Sequence, residues 1–139
     1  MGLLKYVGDK LFSNGKEVAL VGDGDIETGG NEANGYWVKH QDGRLEQYGI
    51  RYMGLNHVTT KWGGLFVSAR LPAIPYPITF IETPVVSIQL FDRDSTSWLS
   101  ALTEGNGSLD KYDGLHATRG TTNAGVEMNA HWKATGRWK

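Results

Sequence analysis

Short segments in which apolar and polar residues alternate recur along this chain, and glycine-containing turns separate them. The clearest segment covers residues 126–134, where Val, Met, Ala, Trp and Ala alternate with Glu, Asn, His and Lys. Because successive side chains of a strand point to opposite faces of a sheet, this period of two predicts strands with one buried face. No helical pattern of about 10–15 residues recurs between the strands, so we expect an all-β fold, an antiparallel β-sandwich or barrel.

The glycine content and the charge balance exclude several other classes of protein. The chain has 19 glycines in 139 residues, and a glycine inside a helix costs about 1 kcal/mol relative to alanine, which disfavours a helical bundle. Without cysteine, disulfides, thiolate nucleophiles and cysteine-based zinc sites are excluded. A formal net charge of −1 provides no basic field for a nucleic-acid backbone. No apolar run approaches the roughly 18 residues of a membrane span, so we expect neither nucleic-acid binding nor membrane insertion.

Residues 35–50 give the clearest local prediction, an antiparallel hairpin around a central Asp-Gly pair. A two-residue turn at this pair would place Lys39 opposite Glu46 and Trp37 opposite Tyr48. Opposite charges and aromatic pairs directly across a ladder stabilise it by about 0.2–1 kcal/mol each. The turn chemistry and the cross-strand pairs therefore favour the same register.

Other turns and strands follow the same logic, although one segment is ambiguous. Asn14-Gly15 predicts a hairpin within residues 6–21, and Gly63-Gly64 predicts another between residues 57–62 and 65–71. Residues 85–91 and 115–121 are expected strands, and the prolines of residues 71–80 predict an extended segment at a sheet edge. Residues 94–104 fit a helix or a strand equally well.

Residues 22–34 are rich in glycine and acidic residues and nearly lack core-forming side chains, which is typical of a linker. The Asp-Gly-Asp at positions 23–25 resembles part of a calcium loop, but the acidic ligand needed at loop position twelve is absent. We therefore predict an N-terminal segment, residues 1–33, that ends in this linker, and a domain that comprises residues 34–139.

Three segments in order resemble the C-terminal tip domain of bacteriophage tail fibres. They are residues 34–49 (NGYWVKHQDGRLEQYG), residues 75–80 (PYPITF) and residues 132–138 (WKATGRW). The family shares a Gly-aromatic hairpin that ends in Gln-aromatic-Gly, a mid-chain proline and phenylalanine segment, and a Trp-x-Ala-x-Gly strand at the chain end. This sequence departs from the pattern at Tyr48, where members often carry Trp, and over residues 51–61, where no match exists.

The resemblance implies a homotrimeric β-sandwich knob at the distal end of a fibre, which binds a bacterial surface receptor such as lipopolysaccharide, another glycan or an outer-membrane protein. Residues 1–33 would then be the last part of the stem or a collar, joined to upstream tail-fibre or tail proteins. The N-terminus lacks the apolar core and the cleavage site of a signal peptide. We therefore expect synthesis in the host cytoplasm and assembly into the virion.

The family motifs are architectural and supply no receptor-binding residues, so candidates come from chemistry. A glycan site needs aromatic faces and planar polar groups on loops held by a rigid scaffold. Eight residues in predicted loops have these properties: Asp92, Arg93, Asp94, Trp98, Asn106, Lys111, Tyr112 and Asp113. The competing interpretation is that the aspartates cap turns and that Trp98 packs in the core.

Asp92 and Asp94 would also suit the paired carboxylates of a polysaccharide-degrading enzyme, because residues two apart on a strand face the same way. No segment of the sequence supplies a buried cleft, so we expect a protein that is not an enzyme and that needs no cofactor. A free carbohydrate-binding module is a further alternative to the fibre tip.

The histidines and the two C-terminal tryptophans have less specific roles. His40, His57, His116 and His131 form no ligand pair at metal-binding spacing, so we predict no metal site within one chain. A trimer axis that gathers one histidine from each chain stays open. Trp132 is expected in the core, whereas Trp138 is a candidate for a subunit interface.

Overall fold

The computed structural model describes residues 4–7, 10–13, 16–17, 26–93, 99–104 and 108–139. These residues form strands and loops, and none of them lies in a helix, so none belongs to a helix that could cross a membrane. The strands are β1 (Leu4–Val7), β2 (Lys10–Ser13), β3 (Lys16–Glu17), β4 (Ile26–Asn31), β5 (Gly35–His40), β6 (Arg44–Val58), β7 (Thr60–Trp62), β8 (Leu65–Val67), β9 (Ile74–Pro75), β10 (Val85–Asp92), β11 (Ser100–Thr103), β12 (Lys111–Tyr112), β13 (Leu115–Arg119) and β14 (Asn123–Arg137).

The strands pair antiparallel in four sheets. The main sheet has five strands in the order β10-β14-β6-β5-β4, and the second has four in the order β11-β13-β8-β7. Strands β9 and β12 form a two-stranded pair, and β1-β2-β3 form a separate three-stranded sheet. The expected all-β, antiparallel, sandwich-like fold is therefore confirmed, while the homotrimer stays a prediction.

One continuous core lies between the main sheet and the elements of the other layer. The alternation in β14 is confirmed, because its predicted apolar positions are at most 5% exposed. These positions are Val126, Met128, Ala130, Trp132 and Ala134. From the other side, Leu115, Ala117, Tyr112 and Ile74 complete the same cluster. Trp132 therefore lies in the core, as the sequence predicts.

The hairpin of β5 and β6 forms, but its predicted register is wrong by one residue. Trp37 lies opposite Gln47 instead of Tyr48, and Lys39 lies opposite Leu45 instead of Glu46. A shift of the register by two residues would keep each side chain on its original face of the sheet, whereas a shift by one residue moves each side chain to the opposite face. Because Leu45 and Gln47 are fully buried, Trp37 can pack against the core only if it shares their face.

The connection between β5 and β6 has the geometry that this register requires. It contains three residues, 41–43, in place of the predicted two. Gly43 has a φ of +99°, a left-handed conformation that favours glycine, and its N–H donates to the His40 carbonyl over 3.0 Å. A three-residue hairpin loop with glycine at the left-handed position is a common alternative to the two-residue turn.

Most of the remaining local predictions agree with the structure. The Gly63-Gly64 turn joins β7 and β8, with Trp62 opposite Leu65. Strands β2 and β3 pair across positions 14–15, as expected of the first hairpin. Residues 100–103 of the ambiguous segment form strand β11, and residues 94–98 lie outside the described part of the chain.

The predicted linker is partly a strand, which corrects its interpretation over residues 26–31. Strand β4 pairs with β5 along its whole length, from Ile26 opposite His40 to Asn31 opposite Gly35. Glycine-rich sequence is compatible with an edge strand here because the backbone supplies the ladder hydrogen bonds. The division of the chain at residue 33 stays a prediction.

The three segments that resemble the tail-fibre family come together in the core. Trp132 of the third segment packs over Gly35 and Gly49 of the first, and a Cβ on these glycines would lie 2.7 and 3.1 Å from its indole ring. Phe80 of the second segment packs over Gly136 in the same way, at 2.7 Å. Each glycine thus provides the space that a large aromatic ring from another segment occupies.

A buried amide joins the first segment to the second. Gln47 is fully buried, its Nε2 donates to the Ile78 carbonyl over 2.7 Å, and its Oε1 accepts the Ile78 N–H over 2.8 Å. The proline-rich segment forms few ladder hydrogen bonds of its own, so the Gln47 side chain is the hydrogen-bond partner of both the N–H and the carbonyl of Ile78. These two hydrogen bonds hold residues 75–80 against the inner face of the main sheet.

Candidate functional site

A concave region lies on the side of the main sheet that faces away from the core. We call it the outer face. It encloses a cavity volume of about 1600 Å³. Its walls include outward-pointing side chains of β5, β6, β10 and β14 together with the turn between β4 and β5. Concave sites of this kind, formed on rigid elements, are where proteins commonly bind ligands.

Three tyrosines and an isoleucine form a column of exposed apolar side chains along one half of the outer face. Tyr48, Ile50 and Tyr52 follow at every second position of β6, and Tyr36 of β5 lies directly opposite Tyr48. Between 40% and 54% of each of these residues is exposed. The ring centroids of Tyr36 and Tyr48 are 5.7 Å apart, with planes tilted by 33°. The rings are therefore adjacent, and both remain accessible.

Polar side chains occupy the other half of the outer face. On β10, Ser87 and Gln89 lie opposite Lys133 and His131 of β14, and Asn129 lies opposite the aromatic Phe91. The rings of Phe91 and His131 are 4.4 Å apart. The alternation places hydroxyl, amide and imidazole groups beside the tyrosine column, because Val86, Ile88 and Leu90 of β10 and the apolar positions of β14 that they face point to the core.

Two cations of the outer face, Lys133 and Arg93, have a carboxylate and an aromatic ring as partners. Lys133 Nζ lies 3.6 Å from Glu46 Oε1, and the Arg93 guanidinium lies 4.8 Å from the centre of the Tyr52 ring. The Tyr52 hydroxyl donates to Glu127 over 3.2 Å. A hydrogen bond from His40, and then the charge of Lys133, hold the pKa of Glu46 below its usual range.

The second sheet carries a network of exposed ionic groups. His116 Nε2 lies 2.5 Å from Glu104 Oε1, and its Nδ1 lies 2.9 Å from the Ser68 carbonyl. Arg70 Nη2 donates to Glu104 over 2.6 Å, and Asp113 lies 4.0 Å from the same guanidinium. The hydrogen bonds from His116 and Arg70 lower the pKa of Glu104. Within the described part of the chain, no three His, Asp or Glu side chains are arranged to hold a metal ion.

Of the eight residues selected from the sequence, Arg93 is a described residue that lines the outer face. Asp92 is half-buried at the end of β10, and Lys111 is exposed on β12. Asp113 is half-buried and accepts the Gly114 N–H over 2.8 Å, as in the turn interpretation. Asp94, Trp98 and Asn106 lie outside the described residues, so the paired-carboxylate hypothesis for Asp92 and Asp94 stays untested.

The predicted exposure of Tyr112 is wrong. Only 9% of this residue is exposed, and its ring belongs to the hydrophobic core. It lies on strand β12, opposite Ile74 of β9, so the pairing of this short ladder directs its side chain inwards. The expected loop at this position is a strand at the edge of the core.

The residues of the tyrosine column are not among the eight candidates selected from the sequence, although a signal for them exists. The aromatic and aliphatic residues at positions 48, 50 and 52 share one face of a strand, and positions 45, 47 and 53 share the buried face. Both sets contain apolar residues. The sequence pattern alone therefore does not tell which face a second layer covers.

The chain matches no protein-family model. A search of curated proteins also gives no match. Among solved structures, it is similar to the C-terminal part of the R1 pyocin fibre of P. aeruginosa, at 15% identity and a TM-score of 0.45. That match covers 80% of this chain and 28% of that chain. An N-truncated R1-type pyocin tail fibre matches at 13% identity and a TM-score of 0.46, over 80% and 86% of the two chains.

Proposed function

We propose that this chain is the distal, receptor-binding domain of a bacteriophage tail fibre and attaches the virion to a bacterial surface. The proposal is supported by the ordered segments 34–49, 75–80 and 132–138, which resemble tail-fibre tips. Their shared glycines and aromatic residues pack against one another, as Trp132 does against Gly35 and Gly49. The residues that carry the resemblance thus have a common structural purpose, the stabilisation of the main sheet.

The observation that carries the binding role is the outer face. Its tyrosines are about half exposed, lie in a concave surface and stand on the strands at the centre of the main sheet. Monomeric proteins rarely expose contiguous apolar patches larger than roughly a few hundred Å² unless the patch contacts a partner or ligand. Tyrosine is also suited to contacts because its ring is large and rigid and its hydroxyl is polar.

The assembled form would be a homotrimer at the end of a fibre, joined through its N-terminal segment to upstream tail proteins. Three copies per fibre, and several fibres per particle, would convert a weak single-site contact into strong adhesion. Attachment needs no chemical reaction, so the domain would act without enzymatic activity. The receptor would be a lipopolysaccharide, another surface glycan or an outer-membrane protein, contacted by the outer face and by Asp92 and Arg93 at the end of β10.

Binding to intact cells tests this function. Purified, fluorescently labelled protein is expected to bind saturably to a subset of strains in a broad bacterial panel. The double variant Tyr48→Ala/Tyr52→Ala should lose that binding, because it removes half-exposed rings from the outer face. The matched control is Trp62→Ala, which removes a residue that is 55% exposed on the second sheet. Absence of binding to every strain of the panel would contradict the proposal.

A carbohydrate-binding module is the alternative that the same tyrosines favour, since such modules also present aromatic rings on a sheet. It would be a monomer that binds isolated polysaccharide without attachment to intact cells. A polysaccharide-degrading domain would instead release new reducing ends, and Asp92→Asn would abolish the release. If the protein is a monomer and either binds isolated polysaccharide or releases reducing ends, the corresponding alternative would replace the tail-fibre proposal.

A further inference from the structure

We infer that the ligand of the outer face is an uncharged stretch of oligosaccharide, with sugar rings stacked on the tyrosines and sugar hydroxyls bonded by the amide side chains beside them. The inference rests on the proposed function, because it names the chemical class of the receptor that the same face would bind. It is carried by the separation of the face into an aromatic half and a polar half.

The aromatic half offers what the C–H faces of sugar rings require. Tyr36 and Tyr48 are tilted by only 33° with centroids 5.7 Å apart, so their rings form a nearly continuous platform instead of a closed stack. Tyr52 follows four residues after Tyr48 on β6, about 13 Å further along the strand. The exposed Ile50 lies between them and keeps the surface apolar throughout. The column is therefore long enough for several consecutive sugar rings.

The polar half offers what sugar hydroxyls require. A hydroxyl both donates and accepts, and the amides of Gln89 and Asn129 and the hydroxyl of Ser87 do the same. Among the described residues, none of these three side chains has a hydrogen-bond partner, although all three line the cavity. Their bonding capacity is directed to the space above the sheet, next to the tyrosine rings.

The charges of the outer face favour an uncharged ligand. Two cations, Arg93 and Lys133, lie on the same side of the sheet as the carboxylates of Glu32, Glu46 and Glu127, so positive charge is not in excess there. A polyanion would therefore meet no excess of positive charge on this face. An uncharged ligand rich in hydroxyl groups is compatible with this distribution of charge.

Chemical treatment of the bound cells separates this inference from the proposed function. On a strain that the protein binds, periodate oxidation of vicinal diols is expected to abolish binding, and proteinase K treatment is expected to leave it unchanged. The reverse result would overturn the oligosaccharide inference and leave the fibre-tip proposal intact. Absence of binding to any strain would overturn both.

Titration with a defined probe tests the site itself. The probe is the O-polysaccharide released by mild acid from the lipopolysaccharide of that strain, measured by calorimetry. Tyr48→Ala is expected to weaken binding by about tenfold or more, as truncation of a central aromatic contact does, and Tyr48→Phe should retain it. Gln89→Ala should also weaken it, while the control Trp62→Ala should not. Equal affinities for all four variants would overturn the inference.

Two further measurements distinguish an uncharged oligosaccharide from the other possible occupants of the outer face, an anionic ligand and a second subunit. Affinity for the O-polysaccharide should be nearly independent of sodium chloride concentration, because screening weakens contacts between charges and leaves stacking intact. A steep loss of affinity with salt would indicate an anionic ligand and overturn the uncharged assignment. If Tyr48→Ala lowers the oligomeric mass and leaves O-polysaccharide binding unchanged, the outer face is a subunit interface and the inference fails.

Discussion

Tyr76 shows how a single residue can serve the core and still carry an unfavourable group. Its ring packs edge-on against Phe80 at 5.1 Å and lies 5.9 Å from the ring of Trp132. Its hydroxyl is buried without a hydrogen-bond partner in the described part of the chain. Burial of this group raises the pKa of Tyr76 to about 12. The ring contributes to stability, whereas the oxygen loses its hydration without compensation.

Removal of that oxygen should therefore not destabilise the protein. We expect Tyr76→Phe to leave the free energy of unfolding unchanged or to raise it by up to about 1 kcal/mol, since no hydrogen bond is lost. Urea denaturation followed by tryptophan fluorescence measures the difference. The control Tyr76→Ala should cost about 3–5 kcal/mol because it opens a cavity. A clear loss in Tyr76→Phe would show that the hydroxyl has a partner.

Glu104 gives a prediction about pH. Hydrogen bonds from His116 and Arg70 hold its folded-state pKa below the ordinary value of 4.5. A lowered folded-state pKa stabilises the protein above the unfolded pKa, and this contribution disappears as the pH falls through the folded pKa. The stability difference between the wild type and Glu104→Gln should therefore be largest above pH 4.5 and shrink below it.

Thermal unfolding monitored by circular dichroism over a series of acidic buffers measures that difference. Glu82→Gln is the matched control, because Glu82 is exposed and makes no hydrogen bond with another described residue. The difference in unfolding temperature between Glu82→Gln and the wild type should stay small at every pH. A Glu104→Gln difference that does not change with pH would rule out the contribution from its ionic contacts.

Strands β6 and β14 are the elements on which the fold depends most. Each has 15 residues, and together they form the centre of the main sheet. Their pairing brings Trp132 opposite Gly49, where the indole occupies the space that a side chain would fill. The glycine is thus required by packing between two strands, and the φ of Gly49 lies outside the left-handed region.

Gly49→Ala tests this packing. Its Cβ would lie 3.1 Å from the backbone of Gly35 as well as from Trp132, so the strands must shift to accept it. We expect a loss of about 1–3 kcal/mol in the free energy of unfolding, the usual cost of an overpacked core. Gly120→Ala is the control, since no atom lies within 4 Å of its added Cβ. Equal stability of the two variants would refute the role assigned to Gly49.

The whole molecule leaves a substantial amount of apolar surface uncovered. In the described residues, the exposed large hydrophobic side chains include Val85 at 78%, Leu55 at 58% and Ile81 at 53%, in addition to the outer face. A trimer would cover part of this surface. Val85 and Leu55 lie opposite Thr135 and Glu127, on the same side of the main sheet as the outer face, so a subunit contact there would border the ligand site.

Mass in solution tests the assembly. Size-exclusion chromatography with light scattering should give three times the 15.3 kDa chain mass at micromolar concentration. Val85→Ser, at the most exposed of these side chains, should shift the population towards lower mass if it lies in the interface. A monomer across the whole concentration range would argue against the trimeric fibre tip.

The sequence by itself determined the secondary structure class and much of the core. The alternation at residues 126–134 identified the buried face of β14, and Gly63-Gly64 identified a hairpin. These features are local: the period of two and the turn preferences of glycine depend on neighbours in the chain. These two predictions succeeded because the controlling interactions lie between close neighbours in the chain.

Tertiary structure alone decided the features that depend on what covers each face. The hairpin register followed the burial of Leu45 and Gln47 and not the cross-strand pairs, which are weaker than core packing. Tyr112 is buried because β12 pairs with a distant strand. The tyrosine column is exposed because the second layer packs on the opposite side of the main sheet, and no local pattern distinguishes two apolar faces until one of them is covered.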